Sequence, residues 1–276
     1  MVSAQHLSTE PDPELAKAKW AGIQQMNREA EELAAFPREV KNWSAELANL
    51  SDELRIGTSY MVYDEASGEA ISKRMNTAMF SFLESAEEEL LITNAYIIPA
   101  QRGIDLVQRL TDRGVKVRIL TNSLASHDVP AVNSHYQVWR DDLIEAGAEL
   151  YELRADPQIQ SIVDVPPMEA GFTGLHTKAV VVDRRHVFIG SMNFDPRSAN
   201  INTEAGAFVD SPALGEDMAR LMERDMSPAN AWQVVLDDDG DLYWVNSEEK
   251  VKSQPARGSS QRVMDAIFKI FPKDQF

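Results

Sequence analysis

The 276-residue chain contains no cysteine, which excludes disulfides, iron–sulfur ligation and the usual thiolate zinc sites. No stretch approaches the roughly 18 consecutive apolar residues that suggest a membrane-spanning helix. The first residues also lack the basic and apolar regions of a secretory signal. We therefore expect a protein that is soluble or bound peripherally to a membrane.

Basic residues are few: 27 Lys and Arg stand against 44 Asp and Glu, for a formal net charge of -17. Such a charge repels nucleic acid and anionic headgroups at long range, because phosphate binding depends on neutralisation by Lys and Arg. A local basic pocket can reverse this field, so the charge disfavours nucleic acid as substrate without excluding it. The hydrophobic content of 43% supports a sizeable folded core.

Two parts of the chain differ in pattern. Residues 1–55 are predicted to form a helical N-terminal segment or connector, with Pro13–Leu50 helical and a break at Pro37. Residues 56–276 alternate strands and helices, which is typical of an α/β domain with a mixed sheet flanked by helices. Strands are predicted at Tyr60–Tyr63, Glu89–Ile97, Val115–Asn122, Ala148–Leu153 and Gly206–Asp210, and helices at Gly68–Ala86, Gly103–Arg113, Pro130–Ala146 and Ala213–Met226.

Three further segments have patterns that suggest a role. The connector Arg154–Gly171 is rich in proline and lacks a clear period, so we interpret it as a mobile loop beside the site. The acidic run Asp237–Asp241 lacks the spacing and closing Glu of a calcium loop, and a hairpin turn at Asp239–Gly240 is predicted instead. The amphipathic helix Val263–Phe271 suits either a bilayer surface or packing of its apolar face on the domain, and we favour packing.

The central stretch GLHTKAVVVDRRHVFIGSMN has the pattern of a hairpin. Its runs Val180–Val182 and Val187–Ile189 are rich in β-branched and aromatic residues. They flank a turn in which we expect Asp183 to face His186, so that Val182 would lie opposite Val187.

This register places Lys178 opposite Ser191 and His176 opposite Asn193. Directly opposed residues share one face of a sheet, with Cβ atoms about 4.5–5.5 Å apart. An imidazole, an ammonium group, a hydroxyl and an amide would then surround one phosphate. Gly190 is expected to let the substrate approach the backbone closely.

Other residues are candidates for supporting roles. Glu204 is the first candidate for a carboxylate that fixes the tautomer of His176. A turn position accounts for Asp183, which is therefore expected to support the motif, with direct catalytic contact as the lesser alternative. Asn122 and Ser123 lie at the carboxyl end of a predicted strand and belong either to the pocket or to a polar loop with a helix cap at Asp128.

These residues resemble the signature of the phospholipase D superfamily. The matching pattern is His176-x-Lys178-x4-Asp183-x6-Gly190-Ser191-x-Asn193. The segments Thr121–Val132, Gly190–Ser198 and Pro272–Phe276 further resemble the C-terminal half of bacterial cardiolipin synthases of the C type, so that the resemblance spans roughly Tyr60 to Phe276.

The resemblance implies a phosphodiester transferase or hydrolase that acts on phospholipids without metal or cofactor, through a phosphohistidine. One histidine attacks phosphorus, and a second, from another copy of the motif, protonates the leaving group. It assigns His176, Lys178 and Asp183 to the motif, without choosing between the two roles for His176. It also implies a location at the surface of the cytoplasmic membrane.

Only one His-x-Lys motif occurs in the 276 residues, whereas the family needs two. The second is expected from a missing N-terminal half or from a second copy of this chain. Two alternatives stay open: a homodimeric single-motif nuclease of the same superfamily, and a non-catalytic half-enzyme that binds a phosphorylated ligand or partner.

Overall fold

The computed structural model describes residues 54–67, 70–160 and 171–268, together with Lys17, Trp20 and Ala21. The chain divides into two units, Met1–Leu54 and Arg55–Phe276. In the first unit the three described N-terminal residues are helical. The rest of the predicted helix Pro13–Leu50, with its break at Pro37, lies outside the described residues.

The second unit is an α/β domain built on a mixed sheet of ten strands in the order β1-β9-β8-β7-β4-β5-β6-β10-β11-β12. β4, β5 and β6 are parallel, and the other neighbouring pairs are antiparallel. A two-stranded hairpin, β2–β3, stands apart from this sheet. The strands are β1 Thr58–Tyr63, β2 Ala66–Ser67, β3 Ala70–Ile71, β4 Glu89–Asn94, β5 Lys116–Asn122, β6 Glu149–Leu153, β7 Lys178–Val182, β8 His186–Gly190, β9 Ala205–Asp210, β10 Ala231–Leu236, β11 Leu242–Val245 and β12 Lys250–Val251.

Helices cover both faces of the sheet. They are α1 Arg74–Glu84, α2 Ala100–Asp112, α3 Pro130–Tyr136, α4 Arg140–Glu145, α5 Pro196–Asn200, α6 Pro212–Asp225 and α7 Ser259–Phe268. Residues alternate between the faces, as strand geometry requires. Val180 and Phe188 face a core that includes residues of α1, α2 and α4, whereas Val181 and Val187 face α6.

Two predicted helices have different bounds. The helix expected at Gly68–Ala86 begins only at Arg74, because β2 and β3 form a hairpin before it and Asp64 accepts a hydrogen bond from the Met75 amide at 3.0 Å. The helix expected at Pro130–Ala146 is broken by a 3-10 turn at Gln137–Trp139.

The break is accompanied by a buried polar network. Arg140 begins α4, and its Nε donates to the Glu152 carboxylate at 2.6 Å. The same carboxylate accepts from the Tyr136 hydroxyl at 3.0 Å and the Trp244 indole at 2.8 Å. These contacts satisfy both charges inside the domain.

The C-terminal helix α7 packs on the domain, but through its polar face. Asp265 is buried and accepts from Asn133 at 2.6 Å, and Gln261 is buried beside the Leu124 carbonyl. Val263 and Ile267 are 58% and 46% exposed. The prediction that the apolar face packs inward is therefore wrong for the described part of this helix, because buried hydrogen bonds fix the opposite orientation.

Candidate active site

The β7–β8 hairpin has a register one residue away from the prediction. Val182 pairs with His186 and Ala179 with Ile189, so the expected pairing of Val182 with Val187 is wrong. The difference arises in the turn, where Asp183 and Arg184 both adopt left-handed φ angles of 51° and 52°. His176, Ser191 and Asn193 consequently lie beyond the strand ends rather than directly opposite one another.

Asp183 lies at the far end of β7 from Lys178. Its carboxylate accepts hydrogen bonds from the backbone amides of Glu87, Glu88 and Glu89 at 2.8–3.0 Å for the shortest contact with each. The intervening strand of five residues spans roughly 17 Å. These contacts agree with the expected supporting role, in which Asp183 holds the turn against the start of β4, and not with the lesser alternative of direct catalytic contact.

The segment that follows β4 joins the two halves of the site. Ala95 N–H donates to the Thr177 carbonyl at 3.1 Å, and Phe194 N–H donates to the Tyr96 carbonyl at 3.1 Å. The Asn94 side chain also donates to the Met192 carbonyl at 3.1 Å. The chain before β7 and the chain after β8 thus meet at one edge of the sheet.

His176 is exposed at this edge, and its ring stands edge-on to Tyr96, with centroids 6.4 Å apart and planes at 80°. Its neighbour Leu175 is held by Asn122, which accepts from the Leu175 amide and donates to its carbonyl, both at 2.8 Å. Ser126 Oγ donates to Asn122 Oδ1 at 3.0 Å. Asn122, which is buried, therefore fixes the backbone of the residue before His176.

Ser123 is also fully buried. Its amide donates to Ser126 Oγ at 2.9 Å, and Ser126 N–H donates to Ser123 Oγ at 3.1 Å. The pocket interpretation is thus corrected: Asn122 and Ser123 build the wall behind the site and expose no surface in it.

Lys178 is buried, and its Nζ donates to the His176 carbonyl at 2.9 Å. Burial lowers the pKa of Lys178, while the carboxylates of Glu204, Asp128 and Asp195 act in the opposite direction. Nζ also lies 5.9 Å from the centroid of the Tyr96 ring. A desolvated cation of this kind binds an anion strongly, because little hydration has to be removed from it.

Glu204 is buried next to the same cation. Its carboxylate accepts from the Ser191 hydroxyl and, at 3.2 Å, from Asn202 Nδ2. Ala205 N–H donates to Ser191 Oγ at 3.1 Å. In the described part of the chain Glu204 makes no hydrogen bond to His176, so the expected buttress is corrected: Glu204 orients Ser191 and counters the charge of Lys178.

Asn193 Oδ1 is buried and has no hydrogen-bond partner within the described residues. An unpaired buried acceptor is costly, and in a binding site it is available to a ligand donor. Gly190, in contrast, is explained by packing. An added Cβ would come within 2.5 Å of the Ala205 carbonyl oxygen and 2.9 Å of the Gly206 Cα, so strand contact rather than substrate approach requires glycine there.

Sequence patterns missed part of this site. Tyr96 stacks on His127 with centroids 5.4 Å apart and planes at 9°, and its hydroxyl donates to Asp128 at 3.2 Å. Asp128 was expected to cap a helix, but the residue before α3 is Val129, with no side-chain cap. Position in the sequence could have identified both residues, because Tyr96 and Asp128 follow the carboxyl ends of the parallel strands β4 and β5.

The pKa values of the acidic groups around the site are shifted in different directions. The pKa of Asp128 falls to about 2, chiefly through its hydrogen bond with His127, whereas burial raises the pKa of Asp195. Burial also raises the pKa of Tyr96 to about 12. An exposed imidazole, a buried ammonium group and an oriented hydroxyl together can hold a phosphate and attack it or protonate its leaving group.

Across the described residues no group of three or more His, Cys, Asp and Glu side chains has an arrangement that could hold a metal ion. The helices of the described ranges likewise include none long and apolar enough to cross a bilayer.

Residues 79–226 match a family model described as cardiolipin synthase, PLD-like domain. Cardiolipin synthase C of Escherichia coli is 36% identical over 221 residues, which cover 76% of this chain and 46% of that protein. Cardiolipin synthase A of Buchnera aphidicola from Acyrthosiphon pisum is 26% identical over 192 residues, covering 67% and 34%. The chain thus spans less than half the length of these curated relatives.

Two solved structures also resemble it. Nuc from Salmonella typhimurium, a phospholipase D family member, matches with a TM-score of 0.46 and 18% identity, over 63% of this chain and 97% of that one. Phosphatidylserine synthase from Haemophilus influenzae matches with a TM-score of 0.47 and 16% identity, over 63% and 40%.

Proposed function

The chain belongs to the phospholipase D-like family of cardiolipin synthases, and we propose that it transfers or hydrolyses the phosphodiester of a phospholipid at His176. The observation that carries this proposal is the pairing of an exposed imidazole with a buried cation. Lys178 Nζ donates a hydrogen bond to the backbone carbonyl of His176 itself, so the ammonium group is held beside the residue that carries the imidazole. Ser191 and Asn193 reach the same edge of the sheet through the segment after β4.

The reaction would proceed in two displacements. In the first, an imidazole nitrogen forms a bond to phosphorus as the bond from phosphorus to the leaving alcohol breaks, and a second histidine protonates the departing oxygen. In the second, the oxygen of another alcohol or of water forms a bond to phosphorus as the phosphorus–nitrogen bond of the phosphohistidine breaks, and it gives its proton to the second histidine. His176 fills one of the two histidine positions, and a second motif from another copy or chain segment supplies the other.

Lys178 would stabilise the charge that develops on the phosphoryl oxygens. Its burial strengthens this interaction, because a cation already removed from water needs no reorganisation when the charge appears. Ser191 would donate a hydrogen bond, held in place by Glu204. The substrate lipid places the reaction at a membrane surface, which we propose as the site of action.

The test is to trap a phosphohistidine. Wild-type protein is incubated with phosphatidylglycerol vesicles labelled in the phosphate, quenched in alkali and analysed by mass spectrometry, alongside His176→Asn and Lys178→Met. We expect label on His176 in the wild type, none in His176→Asn, and at least a ten-fold loss in Lys178→Met.

The outcomes separate the competing functions. Label from plasmid DNA but not from lipid would reverse the choice of substrate in favour of a nuclease. Absence of label with every substrate, when the wild-type protein is folded and the second motif is supplied, would favour a non-catalytic binding protein. Label on another histidine with His176 replaced would contradict the nucleophilic role and leave His176 as the general acid.

A further inference from the structure

A cavity of about 310 Å³ lies between α1, α2 and the sheet. Its walls are mainly apolar, and the residues that define them include Met79, Leu83, Ile92, Leu106, Ile119 and Met192. The polar residues of the lining are Asn76, Arg102, Asn193, Asp195 and Asn200. Its volume falls at the lower end of the range of small-molecule sites, about 300–1,000 Å³. Close-packed protein interiors leave few voids of this size, so we expect a ligand to fill the cavity.

The cavity adjoins the site through a shared stretch of chain. Met192, Asn193 and Phe194 line it, and they follow directly after Ser191. Asn193 and Asn76 both line the cavity, and the amide oxygen of each is buried without a partner in the described part of the chain. Both need a donor such as a hydroxyl group of a lipid glycerol.

Cationic side chains stand at the border of the cavity. Arg102 is exposed, contributes to the lining and lies 3.7 Å from the centroid of the Phe80 ring. Lys73 Nζ donates to Asn200 Oδ1 at 3.0 Å, and Asn200 also lines the cavity. An apolar interior with cations at its border suits a hydrocarbon chain attached to an anionic headgroup.

We infer that this cavity binds one acyl chain of the lipid whose phosphodiester reacts at His176. The inference rests on the proposed function and adds to it the place where the lipid is held. The chain would pass the Asn193 segment and lie between α1 and α2, while the phosphate stays beside Lys178. Binding energy from the chain would then position the phosphodiester without contact to the reacting atoms.

The experiment measures equilibrium binding of monoacyl phosphatidylglycerols with hexanoyl, decanoyl or tetradecanoyl chains, below their micelle concentrations, by calorimetry. Glycerophosphoglycerol serves as the probe without a chain. We expect affinity to rise by about four-fold per methylene until the cavity is full and then to level off. A rise that continues unchanged over all lengths, or no rise, would overturn the inference.

Cavity-filling variants provide the second arm. Leu106→Trp and Met79→Trp place an indole in the cavity, and we expect each to weaken tetradecanoyl binding at least ten-fold while leaving glycerophosphoglycerol binding unchanged. Leu221→Trp, at a position 44% exposed on α6, adds the same group on the other side of the sheet and is the control. Equal effects of all three variants would contradict the inference.

Photolabelling keeps the test independent of the stability of any variant. A monoacyl probe with a diazirine at the chain terminus is irradiated with wild-type protein, and the labelled peptides are mapped. Label on α1 and α2 supports the inference, whereas label confined to α7 or to residues 1–53 overturns it. Chain binding by the wild-type protein without turnover, when the second motif is supplied, would show that the proposed function has failed while the cavity assignment stands.

Discussion

Tyr96 touches both groups that would act on the phosphate. Its ring packs edge to face with His176, lies 5.9 Å from Lys178 Nζ and stacks on the buried His127. Its hydroxyl is tied to Asp128. At the residue scale, therefore, one aromatic side chain limits the motion of the imidazole through packing and a hydrogen bond together.

Replacement of Tyr96 separates these two contributions. We expect Tyr96→Phe to keep the ring contacts and lower kcat only a few-fold, whereas Tyr96→Ala should lower kcat about 100-fold through misplacement of His176. Because Tyr96 is a positioning residue, KM for a phosphodiester without acyl chains should change little in both variants. Steady-state kinetics measures kcat and KM separately, and a larger change in KM than in kcat would contradict the positioning role.

Asp128 gives a pH-dependent contribution to stability. Its pKa is about 2 in the folded protein, against an ordinary value of 3.8. A lowered carboxylate pKa stabilises the fold fully above pH 3.8, and that stabilisation is lost as the pH falls towards about 2. We expect the free energy of unfolding to fall more steeply across this interval in the wild type than in Asp128→Asn. Urea unfolding at stepped pH measures the difference, and parallel pH profiles would refute it.

At the scale of elements, the strands and helices of the site could be predicted from the sequence but the register of its hairpin could not. The runs of β-branched and aromatic residues at Val180–Val182 and Val187–Ile189 indicated β7 and β8 correctly. The register depends on two left-handed residues, Asp183 and Arg184, and neither is a residue type whose presence alone specifies that conformation. Tyr96 was missed for a different reason, since it approaches His176 only through the pairing of β4 with β7.

The β8–β9 pair tests whether strand packing is the reason for Gly190. Gly190→Ala would place a methyl group against backbone atoms of β9, and we expect a loss of about 1–3 kcal/mol in the free energy of unfolding. Gly258→Ala is the matched control, because nothing lies within 4 Å of an added Cβ there, and it should change stability by less than about 0.5 kcal/mol. Chemical denaturation compares the two, and equal losses would show that close packing at β8 is not the cause.

Helix α7 presents apolar side chains outward while its polar face is buried. We propose that this outward face contacts the membrane surface, as an interfacial helix does. The double variant Val263→Glu/Ile267→Glu should reduce binding to anionic vesicles by about ten-fold or more without lowering the melting temperature, because both side chains are substantially exposed. Vesicle sedimentation measures the effect. Leu221→Glu on α6 is the control, and an equal loss there would point to charge alone.

At the scale of the whole molecule, the site contains one His-x-Lys motif within a chain of net charge -17. The basic groups that would meet phosphate are therefore local. Lys178 is buried among acidic neighbours, which weaken its electrostatic attraction of a distant substrate. We therefore expect contacts other than this charge to bring the substrate to the site. Acyl-chain binding and a membrane-facing helix would both provide such contacts, whereas long-range attraction of a polyanion would not.

A two-histidine reaction in a chain with one motif makes activity depend on a second polypeptide segment. For the chain by itself, that segment must come from another copy, so any activity of the purified protein should follow the square of the fraction of intact copies. Wild type is mixed with an equal amount of His176→Asn, and subunit exchange is verified with differently tagged copies. The mixture should then have about one quarter of the activity of wild type alone at the same total protein concentration. About one half would show that each copy acts alone. Negligible activity at every ratio, restored only by a separate chain carrying another His-x-Lys motif, would show that the second histidine comes from a different half-enzyme.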